Sequence, residues 1–379
     1  MRDVTIVGAG PVGMLLAGEL VRRGVEVELL ERRPAAGDGT RAIGIHSPVL
    51  AVLEKSGVTD RLLAHAVRVR RGEARSRGRL LGTVRFEDLA ARFPFVATLP
   101  QAMTEAVLGA DAPEALRGAH VMAVIPRPGG VVVRAGHLGR IIEFESRLVV
   151  VAGGAGGRGL VYRPGAVHER AYDDRYLMTD AATAGRADDE VAVVHLDPEG
   201  VLESFPLPGG RRRFVAWDAP GADDGPEART ERLRDALERR GEQDAAEAVS
   251  SATSFGVRRV VAPRLRNGRI FAIGDTGHEV SPIGGQGMNL GLLDAATLAP
   301  LLGAWVRTGA APESALRTWE ARRVRSARRA AALATVNTAL GRPTGSADLL
   351  RRTAVRAMLA GRSARLFARA YAMGFDSDA

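Results

Sequence analysis

The chain opens on Val4-Thr5-Ile6-Val7, a β-branched apolar run that predicts a buried strand, and passes through glycines into Met14, Leu15, Leu16, Ala17 and Leu20, the apolar positions of a packed helix. Val25 to Leu30 predicts the next strand, and further strands are expected at Leu148 to Val151 and Arg269 to Ile273. The stretches Val191-Ala192-Val193-Val194-His195-Leu196 and Arg213-Phe214-Val215-Ala216-Trp217 predict strands of a second sheet. Between Asp218 and Pro226 lies a polar loop with Gly and Pro; Glu227 to Arg240 follows as a helix with opposite charges four residues apart. A last apolar helix is predicted from Gly287 through Leu290, Leu292, Leu293, Ala296 and Leu298. Toward the end, Leu350, Ala354, Met358, Leu359, Leu366 and Phe367 recur near helical spacing, which predicts one packed and one wet face. There is no internal repeat, and the one low-complexity tract is Gly153 to Gly159.

Two glycine-rich turns interrupt this pattern where chemistry is expected. In the first, Gly8-Ala9-Gly10-Pro11-Val12-Gly13, Gly8 permits the tight turn, Gly10 admits a pyrophosphate and Gly13 lets helix and strand pack closely. Phosphates would then meet the free N–H groups at a positive helix end. Glu31 follows 18 residues after Gly13, where a carboxylate accepts hydrogen bonds from an adenosine ribose and repels a 2′-phosphate. A nicotinamide dehydrogenase shares all of this. The second turn, Gly274-Asp275 to Met288-Asn289, argues against it: glycines and Pro282 cluster where the last apolar helix begins, so backbone donors there would face a flat, electron-rich ring while Asp275 holds ribityl hydroxyls. The pair of turns predicts FAD.

These motifs make the chain resemble the single-component, class A flavoprotein monooxygenases related to para-hydroxybenzoate hydroxylase. The resemblance covers nearly the whole chain. It includes Glu31-Arg32-Arg33, Arg41 in Arg41-Ala42-Ile43, Gln101 in Pro100-Gln101-Ala102-Met103-Thr104-Glu105, Phe205-Pro206-Leu207-Pro208-Gly209-Gly210, and the run from Gly274 to Asp294. It implies that Arg32 is cofactor-binding, that Arg41 and Gln101 touch the FAD diphosphate or ribityl chain, that Asp275 binds the ribityl chain, and that Pro282, Gly285, Gln286, Gly287, Met288 and Asn289 surround the isoalloxazine. It also implies that NADPH or NADH reduces FAD, that O₂ adds to give a C4a-hydroperoxide, and that one oxygen passes to an aromatic or polyketide-like substrate of specialised metabolism. The protein would orient the cofactor and keep the cavity dry, so no universal catalytic side chain is expected. One departure matters: many relatives carry Asp-Gly where this chain has Gly153-Gly154-Ala155-Gly156-Gly157-Arg158, which puts efficient reduction in doubt. The alternative is a cyclase that keeps FAD as scaffold. A flavin halogenase is discounted, because Lys55 lies in an early helix and Trp217, Trp305 and Trp319 are scattered. A pure binding module would hold FAD without turnover.

The expected fold is therefore α/β: a FAD-binding, Rossmann-like domain of glutathione-reductase type, interleaved with a β-sheet substrate domain and followed by C-terminal helices. Residues 1–66, 95–157 and 256–310 are assigned to the first, 67–94 and 158–255 to the second, and 311–379 to the helical region. Tyr172, Tyr176, Met178, His195 and Trp217 are candidates for the substrate wall, and His278 for a structural hydrogen bond.

Composition narrows the partners. With no cysteine, neither a disulfide framework nor a thiolate metal site is possible, and no metal-ligand spacing stands out. The net charge is +9, but Lys55 is the one lysine among 53 basic residues and aromatics make up only 4%, so nucleic-acid binding is not expected. Arginines concentrate late, from Arg322 to Arg329 and Arg351 to Arg369, as a solvated face or as a docking surface for an acidic carrier protein or anionic membrane. The start leaves no room for a cleavable leader, and Val4 to Gly18 is too short for a membrane span, so a cytoplasmic enzyme is expected.

Overall fold

The computed structural model describes residues 1–35, 42–183, 190–281 and 285–376. Two eight-stranded sheets organise them. In the first, Arg2–Val7 lies parallel between Val27–Glu31 and Arg140–Val151, and Ile270–Ala272 extends the parallel order beyond Arg140–Val151. The hairpin His120–Arg127 and Gly130–His137 pairs antiparallel with the early part of Arg140–Val151. Parallel strands are covered on both faces, which is why Val4, Ile6 and Leu148 to Val151 read as continuous apolar runs and are buried. The helices Pro11–Val21 and Gln286–Thr308 pack on one another over this sheet.

The second sheet runs, in spatial order, His278–Glu279, Thr253–Val261, Glu169–Ala182, Arg211–Asp218, Gly200–Leu207, Val191–Asp197, Arg71–Ser76 and Arg79–Arg85. Its pairings are antiparallel apart from Val191–Asp197 with Arg71–Ser76. Alternation sorts its side chains: Leu177, Leu202, Phe214 and Ala216 bury against the helices Pro226–Glu238 and Gln243–Ala248, while Met178, Val201 and Val215 face the other way. Strand Thr253–Val261 lies wholly in this sheet, so the boundary expected at 256 falls inside a strand.

A long helix, Glu313–Gly341, returns across the molecule, and Asp348–Met358 and Gly361–Tyr371 pack on strand Arg79–Arg85. The packed face of these last helices is the expected one in part, since Met358, Leu359 and Phe367 point inward. Val355, Phe367, Ala368 and Tyr371 turn inward, whereas Leu350 and Leu366 are 76% and 61% exposed. The arginines divide too, since Arg323 and Arg351 are buried.

Candidate active site

The two glycine turns meet through contacts that only small residues allow. A Cβ on Gly291, in the first turns of Gln286–Thr308, would stand 2.6 Å from Val12 Cγ2 and 2.9 Å from the Gly274 Cα. Gly8 has φ +109°, and a Cβ there would lie 2.5 Å from the Ala152 carbonyl oxygen; one on Gly13 would lie 1.9 Å from the Gly8 oxygen. Those two glycines are demanded by packing. Gly10 is different: its φ is ordinary, at −84°, and an added Cβ would meet no protein atom within 4 Å. It stands on the wall of a cavity, at the N-terminus of Pro11–Val21, where no side chain caps the first turn.

Glu31 ends the second strand beside this turn. Its carboxylate accepts from the Ala9 N–H at 2.8 Å and from the N–H and Nε of Arg33 at 3.0 and 3.1 Å. Burial pushes its pKa up, but these donors outweigh it and hold the carboxyl below its ordinary range. The acid is therefore ionised and fixed, with lone pairs left for further donors.

From here a cavity of about 650 Å³ runs past Gly153, Gly154 and Asp275 to Gly285, Gly287 and Met288, and on to the second sheet. Gly154 has φ +65°, and a Cβ there would enter open space. Gly285 has φ +66° and begins Gln286–Thr308 without a side-chain cap, so that helix too presents free backbone donors at the cavity. These open glycine walls, two uncapped helix starts and one ionised acid fit a dinucleotide whose flat end lies against the second turn.

Among the expected residues, Gly8, Gly10, Pro11, Val12, Glu31 and Arg32 line this cavity at the first turn. Gln101, Asp275, Gly285, Gly287 and Met288 line it further along. Gln101 accepts from the Ala42 N–H at 3.1 Å and donates to Glu105 at 2.9 Å. The Asp275 carbonyl accepts from Arg158 at 2.9 Å while its side chain stays exposed at the wall. Gly13, Gln286 and Asn289 do not line it. Gln286 donates to the Ala370 carbonyl at 3.0 Å, away from the cavity. Asn289 is fully buried, donating to the carbonyls of Gly44 and Gly285 and accepting from the His46 N–H at 2.8 Å. It locks the second turn to residues 44–46. Arg41 and Pro282 lie outside the described residues.

His278 is a structural hydrogen bonder. Its Nε2 lies 2.6 Å from Asp294 Oδ2, which also accepts from the Gly274 N–H at 3.0 Å, while Arg323 Nε reaches Asp294 Oδ1 at 2.8 Å. Burial opposes every charge here, but the mutual attraction holds Asp294 below its ordinary range and His278 above its own. Arg323 also donates to Asp376, tying that residue to helix Gln286–Thr308 through Asp294.

Two features of the wall escaped the sequence reading. His46 lines the cavity beside Gly285, and burial drives its pKa down to about 4, so the ring is neutral. On the second sheet, Glu203 lines the cavity at 6% exposure, and burial pushes its pKa up to about 8. Alternation held the signal for Glu203, since Val201, Glu203 and Phe205 share a face. Of the aromatic and polar candidates for this wall only Met178 lines it; Tyr172, Tyr176, His195 and Trp217 pack elsewhere. Helical residues Leu359, Phe367 and Tyr371 close the cavity instead.

Residues 1–334 match the family model described as the FAD binding domain. A 12-dehydrotetracycline 5-monooxygenase/anhydrotetracycline 6-monooxygenase of Streptomyces rimosus is 31% identical over 348 residues, covering 85% of this chain and 66% of that protein. The chain spans about two thirds of the length of the curated relatives it matches. In fold it is like the p-nitrophenol 4-monooxygenase PnpA of Pseudomonas putida DLL-E4, with TM-score 0.86, 23% identity, and coverage of 100% of this chain and 98% of that one. The Diels-Alderase PyrE3 of pyrroindomycin biosynthesis shares the fold at TM-score 0.78 and 24% identity, covering 98% of this chain and 80% of that one. With its glycine turns, fixed acid and two sheets, the chain belongs to the FAD-binding family of class A, para-hydroxybenzoate hydroxylase-like monooxygenases.

Proposed function

We propose that the protein is an FAD-dependent monooxygenase that hydroxylates or epoxidises an aromatic or polyketide-like substrate at the expense of NADH or NADPH and O₂. The carrying observation is the single cavity that joins the Gly10 and Glu31 turn to the Gly285 to Met288 turn and ends on the second sheet. When bound, FAD supplies the redox chemistry that takes electrons from reduced nicotinamide and activates O₂. The remaining work falls to the chain. Glu31 accepts ribose hydroxyls and disfavours a 2′-phosphate; the first-turn N–H groups of Pro11–Val21 meet the pyrophosphate; those of Gln286–Thr308 stabilise negative charge on the ring. Arg32, Gln101 and Asp275 flank the linking chain, with Arg41 assigned there by resemblance. Leu359, Phe367 and Tyr371 keep bulk water from the reacting carbon.

The interleaved domain division expected from the sequence belongs to this reading, with the first sheet holding FAD and the second holding substrate. So does a cytoplasmic location, where reduced nicotinamide is available. Helix Gln286–Thr308 has the length and apolarity of a membrane span, but 72% of its apolar window is buried in the protein, which supports a core role. A carrier-protein partner finds no support in the names of the relatives.

The test is NADH or NADPH oxidation by the FAD-bound protein. Stimulation by an aromatic substrate, with label from isotopic O₂ in the product, is the expected result. Gly154 favours one competitor, a cyclase with FAD as scaffold, because its φ of +65° disfavours the side-chain-bearing residue found near this point in relatives. Turnover without reductant, and without gain of oxygen, would establish that competitor instead.

A further inference from the structure

The cavity face of the second sheet carries one acid in an otherwise apolar row. Cross-strand pairing sets Ala74, Val194, Glu203, Val215 and Met178 side by side, and all five line the cavity. Among the described residues no hydrogen bond or ion pair engages the Glu203 carboxyl. Arg213 lines the same cavity and gives Nε and Nη2 to Asp180 at 2.6 and 2.7 Å, so its charge is balanced while its buried Nη1 makes no hydrogen bond among the described residues. Opposite the sheet, Tyr371 enters the same cavity from helix Gly361–Tyr371, with its ring 5.4 Å from that of Phe367. No hydrogen bond is formed by its hydroxyl among the described residues. Both groups open onto an otherwise apolar cavity, so a ligand that fills it must satisfy them or leave them unpaired when water is displaced.

Resting on the monooxygenase reading above, we propose that Glu203 and Tyr371 form the substrate anchor, jointly binding the hydroxyl or keto oxygen of an uncharged polycyclic phenol and selecting against aromatic carboxylates. A protonated carboxyl presents a donor and an acceptor together, and a tyrosine hydroxyl does the same. A phenol satisfies both with one oxygen. A carboxylate substrate would meet only an arginine whose charge Asp180 already balances, and beside a protonated Glu203 it would bury its own charge without a net counter-charge. Burial already keeps Glu203 largely protonated at neutral pH, its pKa standing near about 8. An apolar wall of Val194, Val215 and Met178 suits fused rings rather than a small polar acid.

The test uses calorimetric titration of the FAD-bound protein with 1-naphthol, 1-methoxynaphthalene and 1-naphthoate as probes. Wild type is expected to prefer 1-naphthol over both others by about tenfold or more, the worth of one buried hydrogen bond. Glu203→Leu and Tyr371→Phe should each erase the preference over the methyl ether, and Glu203→Gln should retain part of it. Binding of 1-methoxynaphthalene should be unchanged in all variants, which separates lost recognition from misfolding. Absence of any preference for 1-naphthol in wild type, or equal preference in Glu203→Leu, overturns the proposal. A preference for 1-naphthoate overturns it as well. Flavin content is read independently from visible absorbance, so failure of the FAD reading is distinct from failure of the anchor.

Discussion

At the scale of single residues, the glycines of the first turn separate into those the fold needs and one the ligand needs. Gly13→Ala sets a carbon where 1.9 Å separates it from the Gly8 oxygen, and should cost about 3 kcal/mol or more in urea unfolding, with loss of flavin. Gly10→Ala meets no protein atom. Its FAD-free stability should stay within ~0.5 kcal/mol of wild type while FAD affinity drops at least ~10-fold. Equal loss of stability in both would remove the distinction. Glu203 supplies a second residue-scale outcome. Its ordinary value is 4.5 and burial raises it to about 8 in the folded protein, among neighbours Tyr176, Tyr371 and the Arg213–Asp180 pair. Between those values the unfolded chain has lost the proton that the folded chain keeps, so stability falls as pH rises through the window, by up to ~1.4 kcal/mol per unit. Glu203→Gln should therefore raise the melting temperature most on the alkaline side of the window and hardly at all below pH 4.5. A pH-independent gain would contradict this assignment. The glycines were legible in the sequence because a strand and a helix flank them; for Glu203 alternation groups it with Val201 and Phe205, but an acid in a strand normally faces water and only the sheet's packing shows that this face is the cavity side.

At the scale of elements, helix Gln286–Thr308, whose start lines the cavity, is positioned by a buried charge cluster rather than by its apolar face alone. Asp294 gathers the Gly274 N–H, His278 and Arg323, and Arg323 reaches on to Asp376. Removing one member leaves the others charged and buried. Arg323→Met should lose about 3–5 kcal/mol of stability and expose the segment after Gly361 to limited proteolysis. Unchanged stability would mean that the cluster is not needed to hold the helix. The apolar run of this helix was plain in the sequence. Its anchoring was not, because His278, Asp294, Arg323 and Asp376 are scattered along the chain and only the fold gathers them. The same holds for the C-terminal helices. Of the apolar positions that suggested the packed face, Met358, Leu359 and Phe367 occupy it with Val355 and Tyr371, while Leu350 and Leu366 face out, since packing on strand Arg79–Arg85 and the cavity selects the inward side.

At the scale of the whole molecule, the first sheet brings two distant turns to one cavity, and the second sheet lies across from them. That much was legible, because each turn is bracketed by an apolar strand and an apolar helix whose periods differ. What the second sheet recognises was not, because half its strand positions face helices and half face the cavity, and pattern alone does not say which half. The interleaving has a further consequence: ligand bridging the two turns should stabilise both sheets together, raising a single melting transition by several kcal/mol when FAD is in large excess of its dissociation constant. Two separate transitions, with only one moved by FAD, would show that the sheets do not share the ligand. The most direct measurement of the central claim is the flavin content of the purified, folded protein. One FAD per chain, visible as a yellow complex and lost in Gly13→Ala, is the predicted result; folded protein that stays colourless after incubation with FAD would contradict it.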